Sequence, residues 1–276
     1  MASRPRRRRR ERSDTGARVL AAIPAIAFAI LIVSQGGLVF ALGLIGLGVL
    51  AMVELYTMMG RVRPPNLAGF VTLAALVLTA LYGTKQQVLL VLVLSVPVTF
   101  FLALVRPRRE HISWAMAVVF LGIFWIGLAV AHAVFLREMH HGGALVLDVL
   151  IGTFVGDTAA YFGGRAWGRR PLAPRISPKK TLEGLLTGVV GGTVAFWLFA
   201  VAYQHEWFKG PDALLIGFVV ALVGPLGDLF ESAIKRDLDV KDTGRFFGAH
   251  GGVLDRVDAV LFTLVAGYYM SQAVLG

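Results

Sequence analysis

Nine apolar runs follow one another through this chain of 276 residues, and they limit its architecture more than any other feature. They span residues 18–34, 36–59, 66–83, 88–105, 113–136, 143–163, 182–203, 213–234 and 254–274. A helix needs about 20 apolar residues to cross the hydrocarbon core of a bilayer. Backbone groups there must find partners within the chain, so runs of this length form helices. The expected class is therefore all-α, a polytopic integral membrane protein of about nine helices. The first two runs, joined only by Gln35, read equally as a re-entrant or tilted pair. Charged residues make up 16% of the chain against roughly 25% in a soluble domain. The mean hydropathy of +0.72 agrees with a surface that faces lipid.

The polar residues orient this array. With the N-terminus in the cytoplasm, 16 of the 27 Lys and Arg fall on cytoplasmic links, three on the opposite side and eight in the N-terminal tail. That asymmetry is the positive-inside pattern. The tail carries Arg4, Arg6 to Arg10, Arg12 and Arg18. A basic run before an apolar one resembles a signal peptide. No small-x-small cleavage site follows it, and the next span starts at once, so it reads as an uncleaved first span. The expected organisation is a disordered Arg-rich cytoplasmic tail over 1–17, N-terminal spans over 18–136 and a catalytic region over 137–276. The net charge of +10 does not indicate a nucleic-acid binder, because its cations lie between membrane spans. The absence of cysteine excludes disulfides and thiolate metal sites.

Charge concentrates in Gly227 to Asp258, which holds seven of the 17 acidic residues. Asp228, Glu231, Ser232 and Lys235 are spaced to share one helix face, and Asp255 and Asp258 share another. Carboxylates on two helices across a water-accessible gap suit Mg²⁺, which takes one or two of them together with waters and phosphate oxygens. Helix capping accounts equally for Asp255 and Asp258 taken alone. Asp157 lies within a span, and an ionised group at that depth is a functional candidate. Glu54 and Asp148 lie near span ends, where solvation or capping accounts for them. His250-Gly251-Gly252 forms a turn that lets backbone approach a ligand, and His250 there binds phosphate, moves a proton or caps. Ser177-Pro178-Lys179-Lys180-Thr181 precedes the seventh run. Its lysines oppose the helix dipole, which a bound polyphosphate explains better than capping does.

These residues carry a resemblance. Ser232-x-x-Lys235-Arg236-x₄-Lys241-Asp242-x₇-His250-Gly251-Gly252-x-x-Asp255-Arg256-x-Asp258 resembles the signature of the phosphatidate cytidylyltransferase (CDP-diacylglycerol synthase) family. Asp157 with Tyr161, and Ile176 to Thr181 with Glu183 and Gly184, resemble two further family motifs in the expected order. Leu182 stands where the family commonly has Trp, and Gly248 where many members have Pro; both bear on local packing. The five N-terminal spans resemble the family only in being hydrophobic.

The resemblance implies transfer of CMP from CTP to phosphatidate, giving CDP-diacylglycerol and pyrophosphate, with Mg²⁺ and room for a second metal ion. It implies Asp228, Asp255 and Asp258 as metal ligands, with His250 and Lys235 beside them in the catalytic set. Substrate binding falls to Asp157, Ser177, Lys179, Lys180, Thr181, Ser232, Arg236, Lys241, Asp242 and Arg256. The implied partners are CTP, phosphatidate and membrane lipid; a homodimer is left open. The implied place is the cell (inner) membrane, with the active site facing the cytoplasm. A CTP-dependent polyprenol or dolichol kinase is the nearest alternative. A cation-coupled transporter also buries carboxylates, but needs neither the lysine clusters nor the His-Gly-Gly turn.

Overall fold

A computed structural model describes residues 15–105, 111–244 and 251–276. Nine helices fill these residues, one for each apolar run: α1 (Thr15–Gln35), α2 (Gly37–Met58), α3 (Asn66–Tyr82), α4 (Lys85–Leu104), α5 (Ile112–Arg137), α6 (Gly142–Trp167), α7 (Leu182–Gln204), α8 (Gly210–Asp237) and α9 (Leu254–Leu275). Seven of them, α2 and α4 to α9, are long and apolar enough to cross a membrane; α3 is a shorter apolar helix. Helix α5 is continuous, with one π-helical stretch at Ile123–Gly127.

Local chemistry explains where helix ends differ from the hydropathy limits. Helix α4 starts at Lys85, three residues before its apolar run, because Thr84 and Gln87 form a capping box. Thr84 Oγ1 accepts from the Gln87 backbone N–H, and Gln87 Oε1 accepts from that of Thr84. Helix α8 begins at Gly210 with Pro211 in its first turn and runs on to Asp237. Lys235 and Arg236 fill its last turn, where cations suit the dipole. Pro225 also lies inside α8, as Pro24 does in α1 and Pro97 in α4.

The charged link between α6 and α7 holds the strands found among the described residues. Strand β1 (Pro171–Ala173) pairs antiparallel with β2 (Ser177–Thr181), with Pro171 opposite Thr181 and Ala173 opposite Ser177. No apolar alternation in the sequence marks these strands. Helices α6 and α7 then pack along a seam of small residues. A Cβ on Gly188 would lie 3.0 Å from the Gly156 carbonyl oxygen, and one on Gly192 2.7 Å from that of Gly152. Such close approach is how membrane helices associate without a hydrophobic drive between them. Helix α8 lies against α7 and α9, and α9 against the second half of α5. The largest buried side chains include Tyr56 and Leu55 of α2, Leu73 and Leu76 of α3, Ile126 of α5 and Ile216 of α8.

Candidate active site

The hairpin, the C-terminal end of α8 and the N-terminal end of α9 meet at one end of the bundle. Thr181 caps α7, its hydroxyl accepting from the Gly184 N–H at 3.1 Å. Glu183 in the first turn accepts from the Arg169 and Arg170 N–H groups at 3.0 and 3.2 Å, which ties the start of the hairpin to α7. The hairpin is therefore anchored at both ends, and Lys180 points from it to α8. Lys180 Nζ lies 2.6 Å from Asp228 Oδ2. Arg236 adds a second link, its Nε donating to the Ile176 carbonyl at 3.2 Å.

A second ion pair lies one helical turn or more along α8. Lys235 Nζ donates to Glu231 Oε2 and Asp255 Oδ1, both at 2.7 Å. These side chains are shielded: 14% of Lys235, 12% of Asp255 and 3% of Glu231 is exposed. The other Asp255 oxygen accepts from the Gly252 N–H at 2.7 Å, the Thr243 N–H at 3.0 Å and the Thr243 hydroxyl at 2.9 Å. Asp255 is thus oriented through Oδ2 and meets a cation through Oδ1. Gly251 takes a φ of +86° beside it, and a Cβ there would lie 2.7 Å from Asp255 Oδ2.

Asp258, one turn further along α9, is buried. Asp228 and Glu231 on α8 are its charged neighbours. Helices α8 and α9 come this close because residue 227 is glycine; a Cβ there would run into the Asp258 carbonyl and the Ala259 backbone. Asp157 approaches the same charges from α6, where its neighbours are Asp228 and Lys180. The structure thus brings together Asp157, Lys180, Asp228, Glu231, Lys235, Asp255 and Asp258. Lys179, Lys241, Asp242 and Arg256 are exposed around this group, and Ser177 and Ser232 are half-buried. His250 lies outside the described residues, as do Arg245, Gly248 and the tail over residues 1–14.

Two acidic residues differ from what their positions in the sequence suggest. Asp148 is neither solvated nor a cap: it is fully buried and accepts from Gln204 Nε2 at 2.9 Å. Glu54 does cap a helix, but one about two hundred residues away. Its Oε1 accepts from the Val253 N–H and its Oε2 from the Leu254 N–H, both at 2.9 Å. An acid inside an apolar run was the available signal for Glu54. Thr243 carried none, because nothing in its neighbourhood marks it as a carboxylate partner.

The residues fit a divalent cation. Lys180 and Lys235 place ammonium groups on Asp228 and Asp255, so each carboxylate already presents an oxygen to a cation. Glu231 Oε1 is buried without a hydrogen-bond partner. Among the described residues no three acidic or histidine side chains form a ready-made metal cage. Mg²⁺ does not ask for one, since it keeps waters and takes substrate oxygens around one or two carboxylates.

Comparison with known proteins extends the resemblance over most of the chain. The profile described as "Cytidylyltransferase family" matches residues 16–274. The phosphatidate cytidylyltransferase of Bacillus subtilis (strain 168) is 30% identical over 267 residues, covering 93% of this chain and 97% of that protein. That of Mycobacterium leprae (strain TN) is 38% identical over 166 residues, 59% of this chain and 52% of that protein. The uncharacterized protein YnbB of Escherichia coli (strain K12) is 36% identical over 159 residues, 56% of this chain and 53% of its own. The aligned part thus spans about half the length of the last two relatives and nearly all of the first.

Proposed function

This chain belongs to the cytidylyltransferase family, and we propose that it is a phosphatidate cytidylyltransferase, acting on CTP and phosphatidate. The observation that carries the reading is a pair of lysine–aspartate contacts, Lys180–Asp228 and Lys235–Asp255, at one end of a bundle of apolar helices. A lipid phosphate and a nucleotide triphosphate both need cations, and their reaction needs carboxylates able to hold metal.

The phosphate oxygen of phosphatidate attacks the α-phosphorus of CTP. A new P–O bond forms as the bond to the bridging oxygen of the β-phosphate breaks, and pyrophosphate leaves with that electron pair. Transfer of this kind asks a protein chiefly for positioning and charge compensation. An ammonium has three N–H donors. Lys235 gives two of them to Glu231 and Asp255, which hold it in place and leave the third for a phosphate oxygen. Lys180 gives one to Asp228 from the anchored hairpin and keeps two for phosphate oxygens. Lys179, Arg236, Lys241 and Arg256 add positive charge around the two, and Ser177, Thr181, Ser232 and Asp242 complete the substrate-binding set. Asp228, Asp255 and Asp258 would hold Mg²⁺, with the same carboxylates available to a second ion. Mg²⁺ there would offset negative charge on the reacting phosphates. Asp157, whose charged neighbours are Asp228 and Lys180, belongs to the same substrate-binding set.

The positive-inside count supports a cytoplasmic face for this end of the bundle and a cell-membrane location. CTP is soluble, and the phosphatidate headgroup stays at the interface, so both substrates reach that face. The test is turnover by purified protein in detergent micelles with CTP labelled in its cytosine. Label entering the lipid, with one pyrophosphate released per lipid, is expected. Release of CDP with a phosphorylated alcohol would overturn the reading in favour of a lipid kinase. A need for a transmembrane gradient would overturn it in favour of transport.

A further inference from the structure

Glu54 lies on α2, outside the region from Asp157 to Asp258 that holds every site residue named so far. It is 8% exposed, in a helix whose other buried residues are apolar or glycine apart from Tyr56. Its carboxylate takes the Val253 and Leu254 N–H groups, the first donors of α9. That helix has no side-chain cap of its own at Val253, so a residue from the far end of the chain supplies what a local cap would.

The contact reaches further. The Thr243 hydroxyl lies between two carboxylates, 3.2 Å from Glu54 Oε2 and 2.9 Å from Asp255 Oδ2. A hydroxyl has one proton to share between them. Thr243 is itself buried. Two glycines make room for this arrangement: a Cβ on either Gly244 or Gly252 would run into the Glu54 carboxylate. One side chain thus fixes both arms of the segment between α8 and α9, and the same threonine that it holds also orients Asp255.

We propose that Glu54 is a positioning residue for cytidylyl transfer. It sets the Asp255 carboxylate through Thr243 and the first turn of α9, and couples the N-terminal helices to the reacting end of the bundle. The proposal rests on the functional reading above. Residues that orient metal- or substrate-binding side chains from one layer out typically change activity by about 10–100-fold when altered. Glutamine at position 54 can accept at one end only and must aim an amide N–H at a donor, so the register of Thr243 and the α9 start is lost while volume is kept.

The test uses the full chain in detergent, comparing wild type with Glu54→Gln, Thr243→Val and the double variant. Four quantities are measured: kcat, KM for CTP, the melting temperature, and backbone hydrogen exchange at residues 251–255. Glu54→Gln is expected to lower kcat by about 10–100-fold with a smaller change in KM. Exchange at Val253 and Leu254 should rise, and the double variant should be about as slow as the slower single one. A Glu54→Gln enzyme within twofold of wild-type kcat overturns the proposal, and so do independent, multiplying losses in the double variant. A kcat that falls only in step with the folded fraction reduces Glu54 to a structural cap and overturns it as well. Wild-type protein that makes no CDP-diacylglycerol would instead refute the functional reading, and the exchange data would still report whether Glu54 holds the segment.

Discussion

Lys235 and Asp255 meet at 2.7 Å across the gap between α8 and α9, and the same ammonium reaches Glu231 at the same distance. One lysine therefore ties a helix end to the start of the next helix. It also keeps two carboxylates of the cluster from repelling each other. In low dielectric, breaking such a pair leaves an uncompensated buried charge, which costs up to about 3–5 kcal/mol. Lys235→Met should therefore lower the melting temperature in detergent as well as remove turnover. A variant that melts like wild type would show that the pair contributes nothing to holding α8 and α9 together.

Asp228→Asn and Asp255→Asn keep size and most hydrogen-bonding capacity but remove the charge that faces a cation. Each is expected to lower kcat by about 10²–10³-fold or more, as loss of a preorganised electrostatic group does. Both proteins should still insert and migrate as wild type by size-exclusion chromatography. Near-normal turnover in either would remove that residue from the metal-binding set.

On the proposed function, Lys180 serves the substrate more than the fold. It is 30% exposed and sits on a hairpin that Thr181 and Glu183 anchor without its help. A charge-assisted hydrogen bond is worth about 1.5–3 kcal/mol, or roughly 10–100-fold in affinity. Lys180→Ala should raise KM for CTP by that factor with a smaller effect on kcat. Steady-state kinetics with varied CTP reads it directly, and an unchanged KM would assign Lys180 to another role.

Gly227 tests the geometry rather than the chemistry. A Cβ there would meet backbone atoms of Asp258 and Ala259, which cannot rotate away. Gly227→Ala should separate α8 from α9 near Asp228 and cost about 1–3 kcal/mol, as overpacking does. Reduced turnover with a lowered melting temperature is expected. Full activity would mean that the two helices need not pack this closely.

The helices were legible because hydropathy reports which segments lipid can surround, and each run has its helix. The helix ends were less legible, since they depend on capping groups such as Thr84 and Pro211 rather than on apolarity. The candidate site was legible as a set of residues: a carboxylate or lysine within or beside a span stands out against apolar neighbours. How the set pairs was not. Periodicity puts Asp228, Glu231 and Lys235 on one face of α8 and so accounts for the Glu231–Lys235 pair, yet Asp228 meets Lys180 on the hairpin and Lys235 also meets Asp255 on α9. The hairpin strands read Pro-Leu-Ala and Ser-Pro-Lys-Lys-Thr, with no alternation of apolar residues to announce a strand. Glu54 stood out as an acid in an apolar run, but its partner Thr243 did not. Their roles come from a contact spanning 189 residues, and nothing local encodes it.

The most direct measurement is a structure of the protein with CTP and Mn²⁺ in place of Mg²⁺, with the metal located by anomalous scattering. The expected result is metal signal at Asp228, Asp255 and Asp258, with the triphosphate between Lys180 and Lys235. Metal bound elsewhere, or a nucleotide seated away from these two lysines, would contradict the assignment of this cluster as the site of transfer.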